Sequence, residues 1–221
     1  MMNLLPLQSC LRLPLMSLLC ATLLTVLSGC SFLKPANDQT HNYLLTAMPW
    51  REPSAGVSPP CIVRVLPVEV PNYLQTSDMV IRTGTNEVVF TKFNQWAEPL
   101  DAGIRRVLAQ NLRDFRGIQE ALTDEPAPAR QNIYIISVHI LECEGSDING
   151  RGSILFSATW DISQGRTEAT LARGVFRAPP ASWRPGDYAG MVTQLSSAAA
   201  HLSGILVQAI SRQTEAHGAS H

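Results

Sequence analysis

Few side chains in this sequence could do covalent or acid–base chemistry, and their spacing rules out most of what they could do. A hydrolase needs a nucleophile within hydrogen-bond reach of a base that a third group orients. The G-x-S-x-G pattern of a nucleophile elbow does not occur, and the five histidines are scattered at His41, His139, His201, His217 and His221. His41 falls in a polar N-terminal stretch, and His217 and His221 fall in a polar C-terminal one. His139 shares a strand face with Ile135, Ser137 and Leu141, while His201 sits on a helix pattern between Ala200 and Leu202; both read as structural residues. "DINGRG", residues 147 to 152, lacks the alternating oxygen ligands and closing glutamate of a calcium loop. A strand follows it rather than a helix, so Gly150 and Gly152 cradle no phosphate and mark a hairpin turn. Glu142 and Glu144 read as solvated charge at a strand edge. No Cys/His cluster has zinc spacing. The expectation is a protein with no catalytic residues, no metal and no cofactor.

One thiol has a better defined fate. Leu13 to Leu27, "LPLMSLLCATLLTVL", carries no charge and follows Arg12. A spanning helix needs about 20 apolar residues, whereas a signal-peptide core takes about 7 to 15, and the run has the second length. It ends in Leu27-Ser28-Gly29-Cys30, which resembles the lipobox of bacterial lipoproteins. That resemblance implies that the Cys30 thiol receives a diacylglycerol, that residues 1–29 are removed as a signal peptide, and that the new amine is acylated, with palmitate or a similar chain. Ser31, in place of an aspartate, implies the outer membrane, facing the periplasm. Two or three acyl chains make a lasting anchor where one would bind reversibly.

The remaining chain has the length of one domain. The whole sequence carries 17 basic and 18 acidic residues, and removing Arg12 leaves 16 against 18. A near-neutral chain without a basic cluster argues against a nucleic-acid or anionic-lipid surface. Residues 30–42 read as a polar, proline-containing tether, 43–212 as the domain, and 213–221 as a polar tail. Of five cysteines, Cys10 and Cys20 leave with the signal and Cys30 is acylated. Cys61 and Cys143 remain, each in a strand-like segment. An oxidising periplasm favours a disulfide between them if their strands lie close; otherwise they are two separate buried small hydrophobes.

The elements follow from periodicity. "YLLTA" at 43–47 reads as a first strand. "CIVRVLPVEVPNYL" at 61–74 alternates, but Pro67 and Pro71 cannot donate to a ladder, so this strand is bent or at an edge. Residues 78–93 read as a hairpin turning at Gly84 to Asn86. Pro99 then opens a helix whose Leu100, Ile104, Val107, Leu108, Leu112 and Phe115 recur at spacings of three and four, and Gly117 ends it. Residues 132–145 are the most apolar strand and therefore central; 154–163 return antiparallel, and a third strand follows near 168–178. A last helix, about Tyr188 to Arg212, shows an apolar stripe of Val192, Leu195, Ala199, Leu202, Leu206 and Ala209. The sum is an α+β domain: an antiparallel or mixed β-sheet with two amphipathic helices packed on one face.

Several stretches resemble the PqiC family of lipoproteins, auxiliary components of ABC-type transport. They are Pro67-Val68, Val70-Pro71-Asn72-Tyr73-Leu74, Met79-Val80-Ile81-Arg82 and, above all, Trp96-Ala97-Glu98-Pro99-Leu100 opening a helix. The lipobox, the Tyr43-Leu44-Leu45 strand, the Phe156, Ala158, Trp160 strand and the Ala-rich last helix fit as well. The resemblance implies a non-catalytic outer-membrane lipoprotein of a lipid transport system. Its partner would be an MCE-domain protein of the PqiB type, whose periplasmic tube it docks at the outer membrane. A homo-oligomeric ring around the tube's end would match cyclic symmetry. A different class of role is an envelope assembly or stabilising lipoprotein unrelated to lipid traffic. Tyr73 and Trp96, just outside regular elements, are the candidate partner-binding residues; the other reading is that both rings finish the core.

Overall fold

The computed structural model describes residues 39–50, 56–124, 132–165 and 169–218, with only the backbone of 216–218. Cys30, the segment 1–29 and the tether up to residue 38 lie outside the described residues. Nine strands run in chain order: β1 (His41–Tyr43), β2 (Cys61–Val65), β3 (Asp78–Gly84), β4 (Glu87–Trp96), β5 (Ile118–Leu122), β6 (Ile133–Ile148), β7 (Arg151–Gln164), β8 (Thr170–Arg177) and β9 (Ala181–Ser182). Two helices, α1 (Leu100–Arg113) and α2 (Tyr188–Gly218), accompany them. The domain is α+β, with one mixed sheet ordered β1-β4-β3-β6-β2-β5, and β7 joining β6 to β8 and β9.

β6 is the axis of the sheet, as its apolar composition predicts. Its first half pairs parallel with β2 and its second half parallel with β3, while β7 lies antiparallel along its length. The β6–β7 hairpin closes on Asn149 (φ 55°) and Gly150 (φ 74°), the pair of positive dihedrals that a two-residue hairpin turn requires. Leu141 is an extra residue: the register slips between Ile140 and Glu142. Before this bulge the even-numbered Ile136, Val138 and Ile140 are buried; after it Cys143 is. The alternation of a strand has period two, so one inserted residue moves Glu144 to the face away from the helices, while a glycine, Gly145, meets Met191 of α2.

The helices cover one face. Ile104, Val107, Leu108 and Leu112 of α1 and Leu195, Ala199, Leu202 and Leu206 of α2 are fully buried in one cluster with β2, β6 and β7. Among the described residues no helix is long and apolar enough to cross a membrane.

Three expectations are corrected. The first strand is His41–Tyr43 rather than 43–47; it takes in His41, assigned above to the tether, and Leu45 is buried beyond it. The last helix does not stop at Arg212 but runs through Gly218, so most of the supposed tail is helical; Ser211 and Thr214 are buried, and the Thr214 hydroxyl donates to the Ser211 carbonyl. Finally, Cys61 and Cys143 are free and buried. Ile62 stands opposite Ile133, so Cys143 lies about ten strand positions further on, a distance of roughly 30 Å at about 3.3 Å per residue. A disulfide needs Cα atoms within about 7 Å.

The free thiols have a thermodynamic signature. Burial pushes the Cys61 thiol from 9.0 up to about 11. Burial, then the Glu144 charge, pushes Cys143 up as well. Above pH 9 the unfolded chain gives up thiol protons that the folded protein keeps, so stability is full below 9 and falls as pH rises. Cys61 alone should account for about 2–3 kcal/mol lost between pH 9 and 11. Urea midpoints measured across that window should decline, and Cys61→Ala should flatten the decline; an unchanged slope would refute the assignment.

Candidate functional site

The two stretches that carry the family resemblance meet in space. After β2, Pro67 and Pro71 prevent a regular ladder, and the chain holds to β6 by a single parallel bridge, Glu69 to His139. The Glu69 amide donates to the Val138 carbonyl at 3.1 Å, and the Ile140 amide donates to the Glu69 carbonyl at 2.8 Å. Asn72–Leu74 then forms a single 3-10 turn whose Leu74 is buried. The second stretch begins where β4 ends. The Trp96 amide donates to the Ser77 carbonyl at 2.7 Å, tying the stretches together, and Pro99 stands at the N-cap of α1. Between residues 68–77 and 96–101 lies an open groove of about 840 Å³.

The groove has one sign of charge. Its lining contains Glu69, Glu98 and Asp101 and neither lysine nor arginine. Glu98 is held from behind by Arg106, whose Nη2 sits 2.5 Å from its Oε1 and also donates to the Leu45 carbonyl at 2.9 Å. Val68, Val70, Trp96, Pro99 and Leu100 supply the apolar part of the wall. Apolar walls with a few fixed polar groups are what a recognition groove is made of.

Of the two candidate rings only Trp96 lines this groove, while Tyr73 belongs to the 3-10 turn beside it, and neither is an outward-facing ring. Trp96 is only 7% exposed and belongs to the core. Tyr73 packs on the core, and its hydroxyl donates to Glu144 Oε2 at 2.6 Å. Arg82 Nε donates to Glu144 Oε1 at 2.7 Å, so a carboxylate with 0% exposure is held from two sides. Burial, then the hydrogen bond it donates to Glu144 and the charge of that carboxylate, hold the Tyr73 phenol neutral far above its usual range. Burial pulls the Arg82 guanidinium down, but the charge and hydrogen bonds of Glu144 outweigh it and raise it. Glu144 is therefore not the solvated strand-edge charge expected from the sequence. The lost signal was the Leu141 bulge together with Arg82, which comes from a strand distant in sequence.

The remaining candidates stay structural. His139 Nδ1 lies 3.0 Å from Glu69 Oε2 on the open face of the sheet, and the His201 ring meets Trp50 edge-on, 5.4 Å between centroids. Among the described residues no group of His, Cys, Asp and Glu could hold a metal ion.

Residues 43–206 match the family described as the ABC-type transport auxiliary lipoprotein component. The chain belongs to that family. As a member of these PqiC-like lipoproteins it is an envelope component tied to a membrane and working beside transporter subunits. Two solved structures share the auxiliary-lipoprotein fold. Protein XCC0632 from Xanthomonas campestris, a DUF330 protein, is 12% identical with a TM-score of 0.69, covering 81% of this chain and 99% of its own. A second, a crystal structure of an uncharacterized protein, is 22% identical with a TM-score of 0.60, covering 78% and 99%. No curated protein matches in sequence.

Proposed function

We propose that this auxiliary lipoprotein is a non-catalytic subunit of an MCE-type lipid transport system. It is anchored through Cys30 in the outer membrane, faces the periplasm, and docks the far end of a PqiB-type tube. The observation that carries the reading is the convergence of Val70–Leu74 and Trp96–Leu100 on one open groove. The motif residues are spent on shaping a recessed surface, and Tyr73 and Trp96 act as its inner supports. The lining is apolar and acidic, which suits a partner segment with apolar side chains and a lysine or arginine beside them; complementary charge of this kind raises association rate and selects register.

The test fills the groove without touching its supports. Ala97 is exposed on the groove wall, so Ala97→Arg brings bulk and the wrong charge at little cost to the fold. In a detergent pull-down the wild type should bring down an MCE-domain protein. Ala97→Arg should reduce the yield at least about tenfold, the effect of losing roughly 1.4 kcal/mol of binding, while its melting curve stays unchanged. Retained binding would move the docking surface elsewhere. Absence of any MCE protein from the wild-type eluate would reject the transport reading and favour an envelope-stabilising role.

A further inference from the structure

Large apolar side chains that remain exposed are unevenly distributed. Among the described residues there are seven, Leu44, Val89, Phe90, Phe93, Leu141, Ile148 and Val175, and three of them lie within five residues of β4, with Leu44 just past the end of the neighbouring β1. β1 covers β4 only from Asn94 to Trp96, so among the described residues no strand pairs with the outer edge of β4 from Glu87 to Phe93. Proteins ordinarily blunt such an edge with charge, proline or a bulge. Here the bulge is present, but it advertises apolar surface. Register jumps from Met79–Thr91 to Asp78–Gln95, so Lys92, Phe93 and Asn94 loop outward. The Thr91 hydroxyl bridges the Met79 and Asn94 carbonyls at 3.0 and 2.7 Å and fixes the loop. At its crest Phe93 is 58% exposed.

We infer that this rim (Val89, Phe90, Phe93 and Lys92) rests on the surface of the membrane that holds the lipid anchor. The inference depends on the lipidation of Cys30 proposed above. His41, the first residue of β1, stands opposite Asn94, so the tether joins the domain next to Phe93. Ten residues lie between Cys30 and His41, and the eleven steps span at most about 40 Å when fully extended. The β4 edge therefore meets the bilayer with slack in the chain. The opposite edge, β8, lies four strand spacings away, about 19 Å, so placing it on the surface would use about half of the tether's reach, whereas the β4 edge uses almost none. The chemistry agrees: phenyl rings with a lysine between them suit the boundary between headgroups and acyl chains. The unpaired amides and carbonyls of the edge limit the depth to the headgroup layer, where water and phosphate can satisfy them, because hydrocarbon cannot.

The test uses full-length lipidated protein in vesicles of phosphatidylethanolamine and phosphatidylglycerol that include a nitroxide-labelled phospholipid. Cys61 and Cys143 are buried, so an environment-sensitive fluorophore can be attached at Phe93→Cys, with Val175→Cys on the far edge as the control; Val175 is equally exposed, at 57%. Nitroxide should quench the probe at 93 at least about threefold more than the probe at 175, as expected of a group seated in the interface. Adding Phe90→Ser should lower the quenching at 93. Equal quenching at both sites, or quenching at 93 that Phe90→Ser leaves unchanged, would overturn the inference. So would a signal at 93 that follows protein density rather than nitroxide, because a second copy would then occupy the edge. Protein that does not float with the vesicles at all rejects the anchor first, and this inference with it.

Discussion

Arg82→Met is expected to destabilise the domain by about 3–5 kcal/mol, the cost of leaving a buried charge without its partner. Glu144 has no exposed surface, and Arg82 is its only cationic contact among the described residues, at 2.5–2.7 Å. Tyr73 supplies one further donor, which cannot compensate a full charge. The loss comes from the stranded carboxylate more than from the missing guanidinium, so Arg82→Met/Glu144→Gln should recover more than half of it. Urea denaturation of the wild type, the single and the double variant gives the comparison. A double variant no more stable than the single one would mean that Arg82 matters by packing rather than by charge. The same network fixes Tyr73, and with it the 3-10 turn that forms one wall of the groove, so the single variant should lose partner binding along with stability.

Gly117→Ala is the second large effect, expected at about 3 kcal/mol or more. Gly117 follows α1 with φ +90°, and a Cβ there would lie 1.9 Å from the Val57 carbonyl oxygen. That carbonyl belongs to backbone that cannot swing aside: the Val57 amide donates to the Arg116 carbonyl and the Cys61 amide to the Gly117 carbonyl, both at 2.9 Å. Strain in the left-handed region costs about 1–2 kcal/mol, and overpacking against fixed atoms adds about 1–3. Gly150 separates the two contributions. Its φ is +74° but nothing lies within 4 Å of its missing Cβ, so Gly150→Ala carries the backbone cost alone, about 1 kcal/mol. Melting curves for both variants should show the larger drop at Gly117; equal drops would mean that the Val57 crossing yields.

What could be read from the sequence and what could not divide along physical lines. α1 was legible nearly to the residue because Pro99 and a run of 3.6-period apolar positions are local signals. The two hairpins were legible for the same reason. The parallel pairings of β2 and β3 with β6 were not, because nothing within either strand specifies a partner about 70 residues away. The cysteine pairing failed at that point: two strands in one sheet do not bring two thiols together unless register does. Glu144 was misread as strand-edge charge because its partners Tyr73 and Arg82 come from segments distant in sequence, and the Leu141 bulge decides which face it takes. The groove lay between. Its two motif stretches were recognised, while their meeting depended on the Trp96 to Ser77 hydrogen bond, and the inward turn of Tyr73 and Trp96 depended on the network behind them.

The position of β6 also sets the order in which the chain can be completed. β3 has β4, and β2 has β5, as partners on the N-terminal side, but the two pairs are joined only through β6, which begins at Ile133. A lipoprotein crossing the inner membrane N-terminus first delivers both pairs before the strand that unites them. Until residue 148 has followed, β1-β4-β3 and β2-β5 are separate fragments without the strand that joins them or the long helix that completes their core. The leading half therefore cannot close its sheet until the second half has arrived. Placing the keystone strand in the second half of the sequence makes assembly wait for delivery, and β7, attached to β6 by a two-residue turn, closes the sheet soon after it arrives.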